Sequence, residues 1–429
     1  MINVLPATYG IRWLDGIPAH WQIARSKRLF TQRKEKARAS DQQLTASQEF
    51  GVIPQAHFME KAGRQVVQVF LNPEILNHVE EGDFVISMRS FQGGLEVAKA
   101  TGCISSAYVV LKPSETVHRG FFSYLFKSAR YIQALQSTSN LVRDGQALRF
   151  ENFAMVDLPL LPLKEQQAIA NFLDRKTAAI DALIEKKQKL VELLAEKRAA
   201  LINQAVTKGL DPNVPMKDSG IPWIGQIPEG WAILPAKAIS LIYRGRFSHR
   251  PRDDERLYGG IYPFLQTGSI ARAAKYITEH TQTLNDWGKS VSKEFPVGTL
   301  VMAIAANVGD IAITTFPACF PDSVVGFAPR NVHLDFLYYV FLAMRAELSN
   351  IASENTQKNL NIDLIGALRI PLPSKAEQIQ IVGLLGRLDE TYFGLTGSIR
   401  AQIDYLKEYR QALITAAVTG QLEIPEAPQ

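Results

Sequence analysis

Two stretches of this 429-residue chain interleave cations with aromatics. Residues 25–38 carry seven cationic side chains (Arg25, Lys27, Arg28, Arg33, Lys34, Lys36, Arg38) against one acidic, Glu35. Residues 243–252 set Arg244, Arg246, Arg250 and Arg252 among Tyr243, Phe247 and His249. Such density suits phosphate contacts, and the arginine fork also matches the edge of guanine. Either stretch alone reads equally well as a solvated loop; two of them point toward DNA. Glycine- and amide-rich turns form a second set: Arg89 and Gln92 before Gly93 and Gly94, Arg143 and Gln146 around Gly145, and Lys358 and Asn359 after Gln357. Glutamine and asparagine can pair bidentately with adenine, and glycine lets a loop approach a groove closely. The candidate DNA contacts are therefore Arg25, Lys27, Arg28, Arg89, Gln92, Arg143, Gln146, Arg244, Arg246, Arg250, Lys358 and Asn359.

Covalent chemistry has no comparable foothold. There is no P-loop, no Asn/Asp-Pro-Pro-aromatic methyltransferase tetrapeptide and no G-x-G-x-x-G loop, so no cofactor site is expected in this chain. The seven histidines fall neither at i, i+4 around a glutamate nor beside a cysteine in ligand spacing, so no metal is expected either. Asp253, Asp254 and Glu255 lie beside arginines and read as a solvated loop rather than a general acid/base pair.

The elements that must carry these loops are written twice. Trp13, Ile17, Pro18 and Trp21 recur as Trp223, Ile227, Pro228 and Trp231, a shift of 231 − 21 = 210, and only Trp287 lies outside this pair of boxes. Residues 159–166, ending in Glu165-Gln166, resemble residues 371–378, ending in Glu377-Gln378; residues 198–207 resemble residues 410–419, a shift of 212. After each Pro-rich approach comes one long proline-free helix closing near Gly209 or Gly420. From Glu165 to Val206 the first would extend roughly 60 Å at about 1.5 Å per residue, the reach of a spacer.

A 3.5-residue spacing assigns a coiled-coil seam to Ile169, Leu173, Ile180, Leu183, Leu190, Leu194 and Leu201 in the first helix. In the second it assigns Ile381, Leu385, Leu388, Tyr392, Leu395, Ile399, Leu406, Tyr409 and Leu413, so the helices should pack on each other. Gly383, Gly386, Gly394 and Gly397 predict a less regular first half of the second helix.

Between each box and its helix lies a mixed α/β segment. Strands are expected over 82–89 and 103–110, and over 298–305 and 319–325 in the second copy, with turns at Gly93-Gly94 and near Gly309. Cys103 and Cys319, 216 apart, read as equivalent core positions, and two cysteines fit a reducing compartment. Hydrophobic residues at 46%, no apolar run long enough for a membrane span and no basic-then-apolar start predict a folded cytoplasmic protein with no membrane partner. A net charge of +5 decides nothing by itself. The organisation expected is a Trp box at 1–21, a domain at 22–158, a helix at 159–208, a linker with the second box at 209–231, a domain at 232–370, a helix at 371–424 and a tail at 425–429.

Together these motifs resemble the DNA-specificity subunit of type I restriction-modification systems, in the family's order and over essentially the whole chain. The resemblance implies two α/β (α+β) target-recognition domains related by an internal pseudo-two-fold duplication. Two long conserved helices forming an antiparallel coiled coil would hold them apart, with each domain reading half of a bipartite, asymmetric site in double-stranded DNA. It implies a non-catalytic chain whose helices dock two modification subunits, which carry S-adenosylmethionine and methylate adenine at N6, and which restriction/translocase subunits using ATP and Mg join. Two alternatives stay open on the residues alone: a stand-alone bipartite DNA-binding regulator, and a coiled-coil adaptor whose domains bind proteins. Steep salt dependence of DNA binding separates a reader from an adaptor.

Overall fold

The computed structural model describes residues 12–65, 75–87, 90–138, 148–305, 307–354 and 360–424. The chain forms two compact units, residues 1–188 with 400–429, and residues 189–399. In the first, Gln22–Arg25 pairs antiparallel with Asp157–Leu160, so the globular module opens and closes on one ladder. Its sheet runs in the order Phe30–Arg33, Val109–Pro113, Phe84–Ile86, Glu96–Val97, antiparallel throughout. The hairpin of Leu44–Ser47 with Gly51–Pro54 and the pair Asn77–Val79 with Gly102–Ile104 lie outside that sheet. Phe30, fully buried, is ringed by Phe84, Phe122, Phe126 and Phe153 with centroids between 5.3 and 5.6 Å away, the aromatic centre of this core.

The second unit repeats the plan. Ala232–Pro235 pairs with Arg369–Leu372. The sheet order is Ser240–Arg244, Val324–Pro329, Leu300–Ala303, Ile311–Thr314, Tyr276–Ile277, with only the last strand added in parallel. The expected α/β character is thus α+β in detail. The strands expected over 103–110 and 319–325 each divide in two, because a tight turn interrupts both: Tyr108 N–H donates to Ser105 O and Val324 N–H to Pro321 O. Those over 82–89 and 298–305 shorten to Phe84–Ile86 and Leu300–Ala303. Both cysteines are buried and occupy matching register, Cys103 opposite His78 with a parallel bridge to Gln43, Cys319 opposite Glu294 with a parallel bridge to Phe264. Burial raises both thiol pKa values, that of Cys319 to about 11, so neither is a ready nucleophile.

Two long helices, Leu163–Lys208 and Lys375–Val418, give part of their length to each unit. They end at Gly209 and Gly420, whose φ of 74° and 69° is the left-handed cap that glycine adopts without strain. Within each unit the helix segments run antiparallel. Lys187 donates to Gln402 at 2.6 Å and Arg410 reaches Asp181 at 2.9 Å in the first unit; Arg198 reaches Asp389 at 2.7 Å in the second.

The seam matches the expected one in part: Ile169, Leu173, Ile180, Ile381, Leu385, Ile399 and Leu413 are buried. Leu183, Leu190 and Leu201 of the first helix and Leu395 and Tyr409 of the second are exposed instead, whereas Thr177, Asp389, Thr396 and Ile403, outside the expected seam, are buried. A run of neighbouring apolar positions fits two heptad frames, and the burial pattern selects the one in which Thr177, Thr396 and Asp389 face inward. Each threonine hydroxyl is satisfied by a carbonyl four residues back, Leu173 or Tyr392.

The glycine-rich start of the second helix stays continuous, contrary to expectation. An added Cβ would meet nothing within 4 Å at Gly386, Gly394 or Gly397, so these residues leave its packing intact. Gly394→Ala should therefore stabilise the second unit by up to about 1 kcal/mol through helix propensity. A melting temperature that fails to rise contradicts this.

The repeated motifs are staples between module and helix. Trp21 Nε1–H donates to Glu165 at 2.8 Å, and Trp231 Nε1–H to Glu377 at 3.0 Å. The adjacent glutamines, both buried, accept from the backbone N–H of His118 and His333, each at 2.7 Å. Gln166 Nε2 donates in turn to the carbonyls of Thr116 and Leu161, and Gln378 Nε2 to that of Pro373. The helix-ending glycines press on the same boxes: a Cβ on Gly209 would stand 3.2 Å from Trp231, and one on Gly420 2.1 Å from Pro18.

Candidate nucleic-acid interface

The stretch at 25–38 does not form one basic face. Lys27 and Arg28 project from the short helix Ser26–Leu29, whose Ser26 and Leu29 turn inward. Arg25 ends its strand opposite the buried Asp157 and lies 3.4 Å from it; burial pushes that carboxyl's pKa up and Arg25 opposes the shift. Arg33 points into the protein and is held by Asp83 at 2.7 Å, Glu80 at 2.7 Å and Glu35 at 2.6 Å. Arg38 also meets Glu35 at 2.9 Å and Glu80 at 3.9 Å, and Lys36 bonds the carbonyl of Ile75. Of the seven cations only Arg33 is buried; Arg25, Lys36 and Arg38 are exposed but engaged within the module, while Lys27, Arg28 and Lys34 also stand at the surface.

The arginines at 244–252 do converge. Arg252 meets Asp322 at 2.6 Å, Arg250 meets it at 3.8 Å, and Arg244 donates to its carbonyl at 3.5 Å. Arg246 reaches the carbonyls of Ser290 and Ser292, and Arg250 those of Phe247 and His249. Asp322 thus gathers three arginine heads at the surface of the second module, a role its place in the sequence does not signal. Trp287, the tryptophan outside both boxes, lies beside this group. It is 43% exposed, with the Arg256 guanidinium 5.2 Å over its ring and His249 edge-on at 5.5 Å. Asp254 clamps Arg256 with two hydrogen bonds and also pairs with His249; the Arg256 contact holds its carboxyl far below the usual range.

Gln92 is exposed on Ser90–Gly93 and lines a cavity of about 660 Å³ with Tyr124, Lys127 and Gln133. Arg89, Arg143, Gln146, Lys358 and Asn359 lie outside the described residues. A second cavity, about 620 Å³, opens in the second module over Phe247, Tyr258 and Phe264 and is rimmed by Gln266, Gln282 and Asp253. Among the described residues no group of His, Cys, Asp and Glu could hold a metal ion. The buried His78–Asp41 pair, 2.7 Å apart, belongs to the interior of the first module. What the described surface offers is cations, amides and an aromatic platform, groups suited to binding a polyanion with bases attached.

Residues 18–193 and 231–405 each match the type I restriction modification DNA specificity domain. The chain is 28% identical over 321 residues, 74% of its own length and 71% of the other's, to a putative type I restriction enzyme MjaX specificity subunit from Methanocaldococcus jannaschii. It is 21% identical over 424 residues, 95% of this chain and 94% of the other, to the MjaVIII specificity subunit of the same organism. In fold it resembles a chain from a type I restriction-modification system solved to follow complex assembly and conformational transition. The TM-score is 0.69 at 18% identity, covering 95% of this chain and 99% of that one.

Proposed function

Because the chain belongs to the family of type I restriction modification DNA specificity domains and carries the domain twice, we propose that each module reads one half of a bipartite, asymmetric duplex sequence while the long helices set the unread gap. The chain is a specificity subunit: it recognises DNA sequence, and catalytic activity lies in partner subunits. The observation that carries the division of labour is the repeat itself. The Trp–Glu and Gln–backbone staples are the same in both units, whereas the loops they present differ.

In this reading two modification subunits dock on the long helices and methylate adenine at N6 with S-adenosylmethionine. Restriction/translocase subunits add ATP- and Mg-dependent cleavage, and the chain itself holds no cofactor. No helix among the described residues is long and apolar enough to cross a membrane, and the cytoplasm is the compartment in which such a complex meets DNA. Co-expression with modification subunits followed by methylome sequencing tests this reading. An interrupted motif with an adenine on each strand supports it; a continuous motif, or none, refutes it.

Lys27 stands outward with no ion pair among the described residues, so Lys27→Ala should weaken DNA binding evenly across sequences and lower the slope of log K against log salt by about 1. Binding measured between low and moderate salt checks this, and a change confined to one target sequence contradicts it.

A further inference from the structure

Between two pairs of matching β-bridges the second module has extra chain. Lys36 bridges Asn77 and Gln43 bridges Cys103 in the first, as Phe247 bridges Ser292 and Phe264 bridges Cys319 in the second. The intervals are 43 − 36 = 7 and 264 − 247 = 17 residues, so the second module carries a ten-residue extension, and its residues build the 620 Å³ cavity. On the rim, Gln266 Nε2 donates to Gln282 Oε1 at 3.1 Å. Neither amide has another hydrogen bond among the described residues; Gln266 is exposed and Gln282 half-buried.

We propose that Gln266 reads an adenine of the second half-site through the major groove, with Gln282 as the positioning residue that fixes its amide plane. This rests on the functional reading above. With one N–H engaged by Gln282, Gln266 retains a second N–H and its carbonyl, the donor and acceptor that adenine N7 and N6 require. Thr267, on the same wall, offers a methyl to the thymine C5-methyl of the pair. Asp253 and Glu255 also line the cavity and repel phosphate, which selects a base edge over the backbone as occupant. The rim's own cation, Arg252, is held by Asp322. Backbone grip is left to the arginine heads around Asp322, and base readout to the amide pair.

The test is methylome sequencing of cells carrying the full complex with single variants. Gln266→Ala should relax one position of the second half-site, cutting discrimination for adenine there by about 5- to 150-fold, with the first half and the gap unchanged. Gln266→Glu, which only accepts, should shift that position toward cytosine. Gln282→Ala should give a weaker relaxation that Gln282→Glu restores, since a carboxylate still accepts the Gln266 N–H. An unchanged motif with both Gln266 variants, a uniform fall in methylation at every site, or a change in the first half overturns the proposal. If the wild-type complex gives no interrupted motif, the functional reading fails instead.

Discussion

Exchange of residues 22–158 for the corresponding segment of another family member converts one half of the methylated sequence and leaves the other half and the gap as they were. The exchange is structurally permitted because the module closes on itself. Gln22–Arg25 pairs with Asp157–Leu160, so both crossings into the scaffold lie side by side on one backbone ladder that is indifferent to side chains. The scaffold side of the junction is equally defined: Trp21 is bound by Glu165, and the loop before Arg119 by Gln166. The demand on the incoming segment is apolar fit, since Phe121, Phe122 and Leu125 share a core with Ile169, Leu173 and Ile180 of the first long helix. Methylome sequencing of the chimaera reads the outcome, and a change in both halves ends the modular reading.

Asp389→Ala destabilises the second unit by about 3–5 kcal/mol, because it strands a charge in a nearly closed site. Asp389 is 10% exposed at its side chain and accepts from Arg198 at 2.7 Å and from the Tyr339 hydroxyl at 2.9 Å. Arg198 is 16% exposed and also lies over the rings of Tyr392 and Phe393 at 5.2 and 5.4 Å. The position 212 earlier is Thr177, and the tyrosine that meets it is Tyr124, at 3.1 Å. With no carboxylate there, the equivalent arginine, Arg410, pairs instead with Asp181, where the side chains are 34% and 52% exposed. Such a pair contributes only about 0–1 kcal/mol, so Asp181→Ala should be nearly silent. At roughly 2–4 °C per kcal/mol for units of this size, the first variant lowers the melting temperature by roughly 6–20 °C and the second by a few degrees at most. Equal effects would contradict the burial argument.

The scaffold was legible in the amino-acid sequence because its parts are local and doubled. Tryptophans eight apart, Glu-Gln after proline, and glycine after a long periodic run each have one physical reading, and the second copy confirms it. The heptad frame was legible in part: Ile180 and Ile399 follow from the 3.5-residue spacing, but Leu183 and Ile184 both satisfy it, and Ile184 is the one that packs on the core. The decision falls to Thr177, Arg198 and Asp389, polar residues whose partners arrive from a distant part of the chain. The basic stretches were half legible. Arg33 and Arg246 look alike in a string of letters, but one meets three carboxylates inside a fold and the other two carbonyls at its surface. The arginine on Trp287 and the paired amides of Gln266 and Gln282 come from segments far enough apart that no spacing rule joins them.

The return of residues 400–424 to the first Trp box also orders events in time. The second unit is one continuous stretch, 189–399, whereas the first is completed only when Gly420 reaches Pro18 and Leu422 and Ile424 cover the core beside Ile17. A chain leaving the ribosome N-terminus first therefore finishes its second unit before its first. Trp21 waits for a helix end made some four hundred residues after it, and the half translated earliest is the half completed last.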